Sequence, residues 1–222
     1  NTLVQLNNLA QLFFSVGELQ RAVELNEDVY FRSVELLGEE NERTIVLAYN
    51  TGNMYARINN FEKAIPLLEV AARGMRKRRG DADPLSESFL GVLLSAYNRA
   101  ERYEEAEPLL EQEVTRLETQ GGDRDLLFQR LNLLGRIQYR LRNYEAAEVT
   151  LQKAISFGPE QVEDRANWLF LKSYLGFALG RQGKLEKAET ELLAAVDGFE
   201  TMRETEPELA TQTLLDAYTW LD

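Results

Sequence analysis

The feature that most restricts this chain is a recurring alanine. Ala22, Ala64, Ala106, Ala147 and Ala188 are separated, by subtraction, by 42, 42, 41 and 41 residues. Three residues before each stands Leu19, Phe61, Tyr103, Tyr144 or Leu185. A constant period with constant chemistry marks an array of one supersecondary unit, which cannot bury its apolar face alone and must stack on its neighbours. The stretch from Leu93 to Ala106 shows the centre of the unit: an apolar helix end, a polar turn, and a second helix opening at Tyr103-Glu104-Glu105-Ala106. The same cadence runs from Phe13 to Ala22, Tyr55 to Ala64, Tyr139 to Ala147 and Phe177 to Ala188.

Apolar residues recur at helical spacing on both sides of each turn. Helices are predicted over about 2–15 and 18–37, 42–57 and 61–78, 84–99 and 103–119, 124–140 and 144–157, and 160–181 and 185–203. Gly17 breaks the first pair, and Gly38 ends the second helix as a left-handed C-terminal residue. Gly80 and Gly122 follow Gly38 at steps of 42 and mark the same point in later repeats. Asp83-Pro84 suits a helix start, and Gly158-Pro159 a helix stop. The repeats are placed at about 1–38, 39–80, 81–122, 123–163 and 164–204. Thr205-Glu206-Pro207 opens a last helix, either a cap over the final apolar face or the first half of a cut repeat. The expected fold is all-α: a right-handed superhelical α-solenoid of about five hairpins plus this helix, residues 1–222 forming one array.

Composition excludes several functions. The net charge of −12 disfavours nonspecific binding to nucleic acid or an anionic membrane, both polyanions. Neither cysteine nor histidine occurs, which removes disulfides, thiolate nucleophiles, imidazole acid–base chemistry and ordinary zinc ligand sets. No metal or cofactor is expected. Gly183-Lys184 resembles the end of a phosphate loop, but Leu185 follows where a hydroxyl residue belongs and Ala178 replaces the first glycine. No membrane span or signal peptide is legible, and the expected compartment is the cytoplasm. The first residue, Asn1, reads as lying inside a helix, so the chain is expected to be part of a longer protein.

The order small residue, aromatic, turn, aromatic, alanine resembles the tetratricopeptide repeat. Leu134-Gly135 and Leu175-Gly176 match its Leu-Gly pair, with Ala10 and Gly52 in the small position of the first two repeats. Leu94 departs there, and wider helix packing is expected in the third repeat. Tyr55 and Tyr97 match the following tyrosine; Phe13 substitutes, and Gln138 and Leu179 depart. The period is about eight residues longer than the usual 34. That length, with Leu6-Asn7-Asn8-Leu9-Ala10 and Glu105-Ala106-Glu107-Pro108-Leu109, is similar to the repeats of kinesin light chains and of bacterial multidomain signalling proteins, some fused to serine/threonine kinases. The resemblance implies a noncatalytic scaffold that binds a peptide or protein in a concave groove lined by first helices. It equally admits a regulatory segment of a signalling protein, or a self-association element. The lysine-based carboxylate clamp of some family members does not carry over, because the groove positions hold no lysine.

Those positions are Asn8 and Gln11; Tyr49, Asn50, Asn53 and Arg57; Ser95 and Arg99; Asn132, Arg136 and Arg140; and Tyr174, Phe177 and Arg181. Asn8 and Asn50 are 42 apart, and an amide can read a peptide main chain as both donor and acceptor. Arg57, Arg99, Arg140 and Arg181 occupy one place in four successive repeats, forming a ladder suited to carboxylates or phosphates. Two readings stay open: the ladder meets an acidic or phosphorylated peptide, or each arginine pairs with Glu62, Glu104, Glu145 or Glu186 on the following helix. Phe170, Tyr174 and Phe177 form an aromatic stripe, either a pocket for an apolar anchor or the seat of the last helix. Arg73, Arg76, Lys77, Arg78 and Arg79 crowd one helix end, read first as cations that complement the helix dipole and, in the alternative, as a binding patch.

Overall fold

The computed structural model describes residues 2–121, 123–158 and 165–205. Among them are ten helices and no strand: α1 (Thr2–Ser15), α2 (Leu19–Leu37), α3 (Glu42–Arg57), α4 (Phe61–Arg79), α5 (Pro84–Arg99), α6 (Tyr103–Gln120), α7 (Arg124–Arg140), α8 (Tyr144–Ile155), α9 (Arg165–Arg181) and α10 (Leu185–Thr205). The expected last helix over 207–221 and the marker Gly122 lie outside the described residues. So does the stretch 160–164, where the first helix of the fifth pair is expected to begin. Helix α8 ends two residues earlier than the periodicity predicts, because Phe157 and Gly158 already bond backwards in a turn, their N–H groups donating to Ala154 O and Ile155 O.

The chain divides into two compact units, one ending at Arg102 and the other beginning at Tyr103. In the first, α1 packs on α2, α2 on α3, α3 on α4 and α4 on α5, and α3 also meets α5. In the second, α6 packs on α7, α7 on α8, α8 on α9 and α9 on α10, and α7 also meets α9. Each helix therefore finds its partners next to it in sequence, as a stack of hairpins requires. The expectation of wider packing at Leu94 concerns α5 against α6, which belong to different units.

One turn geometry closes every hairpin. The N–H groups of Glu18, Asn60, Arg102, Asn143 and Lys184 donate to the carbonyls of Phe13, Tyr55, Tyr97, Gln138 and Leu179, at 2.9 to 3.0 Å. This six-to-one bond is the Schellman closure, which needs a residue of positive φ at its centre. That place is filled by Gly17 (φ 87°), Asn59 (61°), Glu101 (57°), Arg142 (62°) and Gly183 (77°). The side chains of Glu101 and Arg142 tolerate a left-handed backbone poorly, at a cost of roughly 1 kcal/mol. Arg142→Gly should relieve that strain against the extra chain entropy of glycine, a net gain of about 0.5 kcal/mol. A small rise in the urea midpoint at constant m-value checks it. The helix-ending Gly38 and Gly80 also have positive φ, but with ψ of 159° and 167° they leave the left-handed helical region for one open essentially to glycine.

Small residues set how closely the two helices of a hairpin approach. A Cβ added at Gly52 would lie 2.8 Å from Leu68 Cγ and 3.1 Å from the Ala64 carbonyl. Gly135 meets Leu151, and Gly176 meets Leu192, in the same way. Leu68, Leu151 and Leu192 each stand four residues after an anchoring alanine. Ala10, Ala22, Ala64, Ala106 and Ala147 are wholly buried. Ala64 and Ala188 thus mark close approaches of helix backbones, their carbonyls lying 3.1 and 3.2 Å from a Cβ added at Gly52 and Gly176.

Between hairpins the contacts are partly polar. Asn26 Nδ2 donates to Thr51 Oγ1 (3.2 Å), and the Ser33 and Thr44 hydroxyls share a bond (2.8 Å), both pairs joining α2 to α3. Tyr97 OH on α5 donates to Glu69 Oε1 on α4 (2.5 Å). One repeat earlier, Lys63 Nζ bridges Tyr55 OH (3.0 Å) and Glu27 Oε1 (3.1 Å). A first-helix tyrosine facing a glutamate of the preceding second helix is therefore a repeated element of the stack.

Candidate functional site

The arginine ladder is built by helix ends. Arg57, Arg99, Arg140 and Arg181 each close the last turn of a first helix, where a cation complements the unsatisfied carbonyls. In the first unit the guanidinium of Arg57 lies 4.6 Å from the centre of the Phe14 ring. That of Arg99 lies 5.1 Å from the Phe61 ring, and its Nη2 donates to Asn59 Oδ1 at 2.6 Å. The sequence-based alternative of an Arg57–Glu62 pair is not what the structure shows. A planar guanidinium stacks on a ring with little loss of hydration, and here the ring is supplied by the end of α1 in the preceding hairpin. Both arginines remain exposed.

Other positions in the first unit are already engaged. Asn50 Nδ2 donates to Asn7 Oδ1 (3.1 Å), so the amide expected to read a peptide main chain is joined to α1. Tyr49 stacks flat on Phe89 at 3.9 Å between ring centres, 5° apart in plane, tying α3 to α5. Asn53 is half-buried, while Asn8, Gln11 and Ser95 are exposed. The basic end of α4 is largely neutralised. Lys77 meets Glu40 (2.5 Å), Arg79 meets Glu42 (2.5 Å) and Arg76 meets Asp81 (2.6 Å). These bonds hold the Glu40 and Glu42 carboxyls below the usual carboxylate range.

In the second unit α7, α9 and α10 enclose a cleft of about 920 Å³. Five of the expected residues line it: Arg136 and Arg140 from α7, and Tyr174, Phe177 and Arg181 from α9. Phe170 completes the aromatic stripe, and Leu185, Glu189, Leu192 and Leu193 of α10 form the opposite wall. The guanidinium of Arg136 lies 5.7 Å from the Tyr174 ring centre. Tyr174 is 9% exposed, and its hydroxyl is buried without a hydrogen-bond partner among the described residues. Arg181 is exposed, and no carboxylate among the described residues comes within ion-pair reach of it. Asn132, expected on the open face, is buried at 9% exposure and does not line the cleft.

Sequence reasoning missed Tyr139 and the α10 wall. Tyr139 stands 5.5 Å from Tyr174 and 6.4 Å from Phe177 between ring centres, so it organises the stripe. Its signal was its place beside Arg140. The α10 residues carried none, because a second helix was expected to turn away from ligand.

The chain matches the tetratricopeptide repeat model over residues 2–77 and 93–159. It belongs to the tetratricopeptide repeat family. This family's fold is typically noncatalytic and binds other proteins. Among solved structures, the repeat array is similar to a kinesin-light-chain-type protein of nearly identical TPR-like repeats from Podosopora anserina, at 20% identity and TM-score 0.70, covering 93% of this chain and 97% of that one. It is similar to BtubC (BKLC) from P. vanneervenii at 20% identity and TM-score 0.69, covering 90% and 80%. MamA from Desulfovibrio magneticus RS-1 follows at 15% identity and TM-score 0.63, covering 90% and 97%. At these identities the likeness is one of fold. No curated protein sequence matches the array significantly. No helix among the described residues is long and apolar enough to cross a membrane, and none of those residues form a cluster of three or more potential metal ligands.

Proposed function

We propose that the array binds an acidic or phosphorylated segment of a partner protein along its first helices, with the cleft of the second unit as the anchoring site. The reading takes residues 1–222 as one repeat array. The observation that supports it is the cleft itself: an aromatic floor of Phe170, Tyr174 and Phe177, a fringe of Arg136, Arg140 and Arg181, and one buried hydroxyl without an acceptor among the described residues. An apolar side chain would fill the floor. A carboxylate or phosphate would take the forked guanidinium donors, and a ligand oxygen would accept from Tyr174. Arg57 and Arg99, held on rings rather than by carboxylates, offer the same chemistry in the first unit.

The test is titration with a glutamate-rich peptide carrying one bulky apolar residue, alongside its phosphoserine and lysine counterparts. Arg140→Glu/Arg181→Glu should weaken the acidic and phosphorylated peptides about tenfold or more, the scale of one lost charge-assisted hydrogen bond. Added salt should weaken them as well. Arg99→Glu reports separately on the first unit. Equal binding of the lysine peptide, or affinities unchanged in the charge-reversed chains with native helicity retained, would refute the reading.

A further inference from the structure

The cleft has a gap at Gly180. Close helix contacts demand glycine at Gly52, Gly135 and Gly176, but a Cβ added at Gly180 would meet only Ala188 Cβ, at 3.9 Å. Glycine is unfavourable inside a helix, and packing supplies no reason for it here. The earlier repeats hold Phe14, Ala56, Asn98 and Tyr139 at this place. Tyr139 fills it with a ring that meets Tyr174 and Phe177. In the last repeat the ring is missing. Bare backbone lines the cleft there, one turn after Phe177 and directly before Arg181, with Leu185 of α10 on the facing wall.

The charge of the cleft gathers at the same end. Arg140 and Arg181 close the last turns of α7 and α9, neighbouring first helices that touch. Both are exposed, and both line the cleft. A ring laid on Gly180 therefore meets a cation within the length of one side chain. The first unit shows the same pairing internally, where Phe14, at the matching place, carries the Arg57 guanidinium at 4.6 Å. An extended peptide turns adjacent side chains to opposite sides and brings the next one on the same side about 7 Å further on. A ring that carries its own anion satisfies both surfaces at once. Glu189, the one acid among the described lining residues, stands on the opposite wall and leaves the arginine fringe as the seat for negative charge. A phosphate monoester brings about −1.5 to −2 charge and three acceptor oxygens, enough for two guanidinium forks.

We propose that the cleft is selective for phosphotyrosine, the phenyl ring resting on the Gly180 backbone against Phe177 and the phosphate between Arg140 and Arg181. This rests on the function proposed above and names the one side chain of the partner segment that the cleft takes. Gly180 is then the residue that sets specificity, because it leaves a ring-sized space beside the ladder.

The test is titration of the full chain with glycine–serine peptides carrying phosphotyrosine, tyrosine, phosphoserine, or phosphoserine with a phenylalanine two residues on. The phosphotyrosine peptide should bind about tenfold or more tightly than each of the others, the scale of burying one aromatic side chain. Phenyl phosphate should displace it at concentrations where inorganic phosphate does not. Gly180→Leu fills the gap with a residue that favours helix, so helicity and thermal stability should hold. It should weaken the phosphotyrosine peptide about tenfold and leave the plain phosphoserine peptide unchanged. Equal binding of the phosphotyrosine and phosphoserine–phenylalanine peptides overturns the inference and leaves the anionic-peptide site standing. So does displacement by inorganic phosphate as readily as by phenyl phosphate, or a Gly180→Leu chain of unchanged affinity. Should neither phosphorylated nor glutamate-rich peptides bind, both readings fall together.

Discussion

Gly52→Val and Gly135→Val should each cost about 3 kcal/mol or more, the upper range for overpacking a core. The first added atom already collides: a Cβ at Gly52 sits 2.8 Å from Leu68 Cγ and 3.1 Å from a backbone carbonyl of α4. At Gly135 it sits 2.7 Å from Leu151 Cδ2. Leu68 and Leu151 are completely buried, so neither can swing into solvent. Relief requires the helices of the hairpin to separate, which would also loosen the stack on either side. Gly180→Ala is the control. Its added Cβ meets only Ala188 Cβ, at 3.9 Å. That substitution should stabilise the chain by up to about 1 kcal/mol through helix propensity alone. Urea midpoints for the three variants give both signs in one experiment. A Gly52→Val chain as stable as its parent would show that the hairpin contact is looser than described.

Glu113→Ala should destabilise the second unit by about 3 kcal/mol, and Arg116→Leu added to it should recover much of that loss. Glu113 and Arg116 are one helical turn apart on α6, paired at 2.9 Å, with side chains 2% and 9% exposed. Attraction at this burial mainly offsets the desolvation of both charges. Removing the carboxylate takes the partner at 2.9 Å from a guanidinium whose side chain is 9% exposed, whereas removing both charges also removes the cation's desolvation cost. Denaturation of the two single variants and the double variant gives the coupling. Additive losses would mean that Arg116 finds solvent or another partner once Glu113 is gone.

Much of this architecture was legible in the chain, for a physical reason. A stacked array is held by contacts between helices adjacent in sequence, so packing repeats at the period of the sequence. The anchoring alanines and the small residues at Gly52, Gly135 and Gly176 therefore announce their close contacts. The left-handed turn residues were half legible. Gly17 and Gly183 show the requirement openly, but Glu101 and Arg142 meet it against their own preference, because the Schellman hydrogen bond holds the backbone there.

The candidate site was legible as a set of positions and not as a set of interactions. Counting turns places Arg57, Arg99, Arg140 and Arg181 at one point of the repeat. It does not say that Arg57 rests on Phe14, that Asn50 is taken by Asn7, or that Asn132 is buried. Those outcomes depend on distances between side chains of different helices, which periodicity does not encode. The cleft shows the division most clearly. The sequence alone determined that hairpins must stack and that aromatic and arginine residues would share a helix face, since helical spacing and burial demand are local. Only the tertiary structure decided that α10 forms the opposite wall and that the Tyr174 hydroxyl is buried with no acceptor among the described residues, because both depend on how three helices meet.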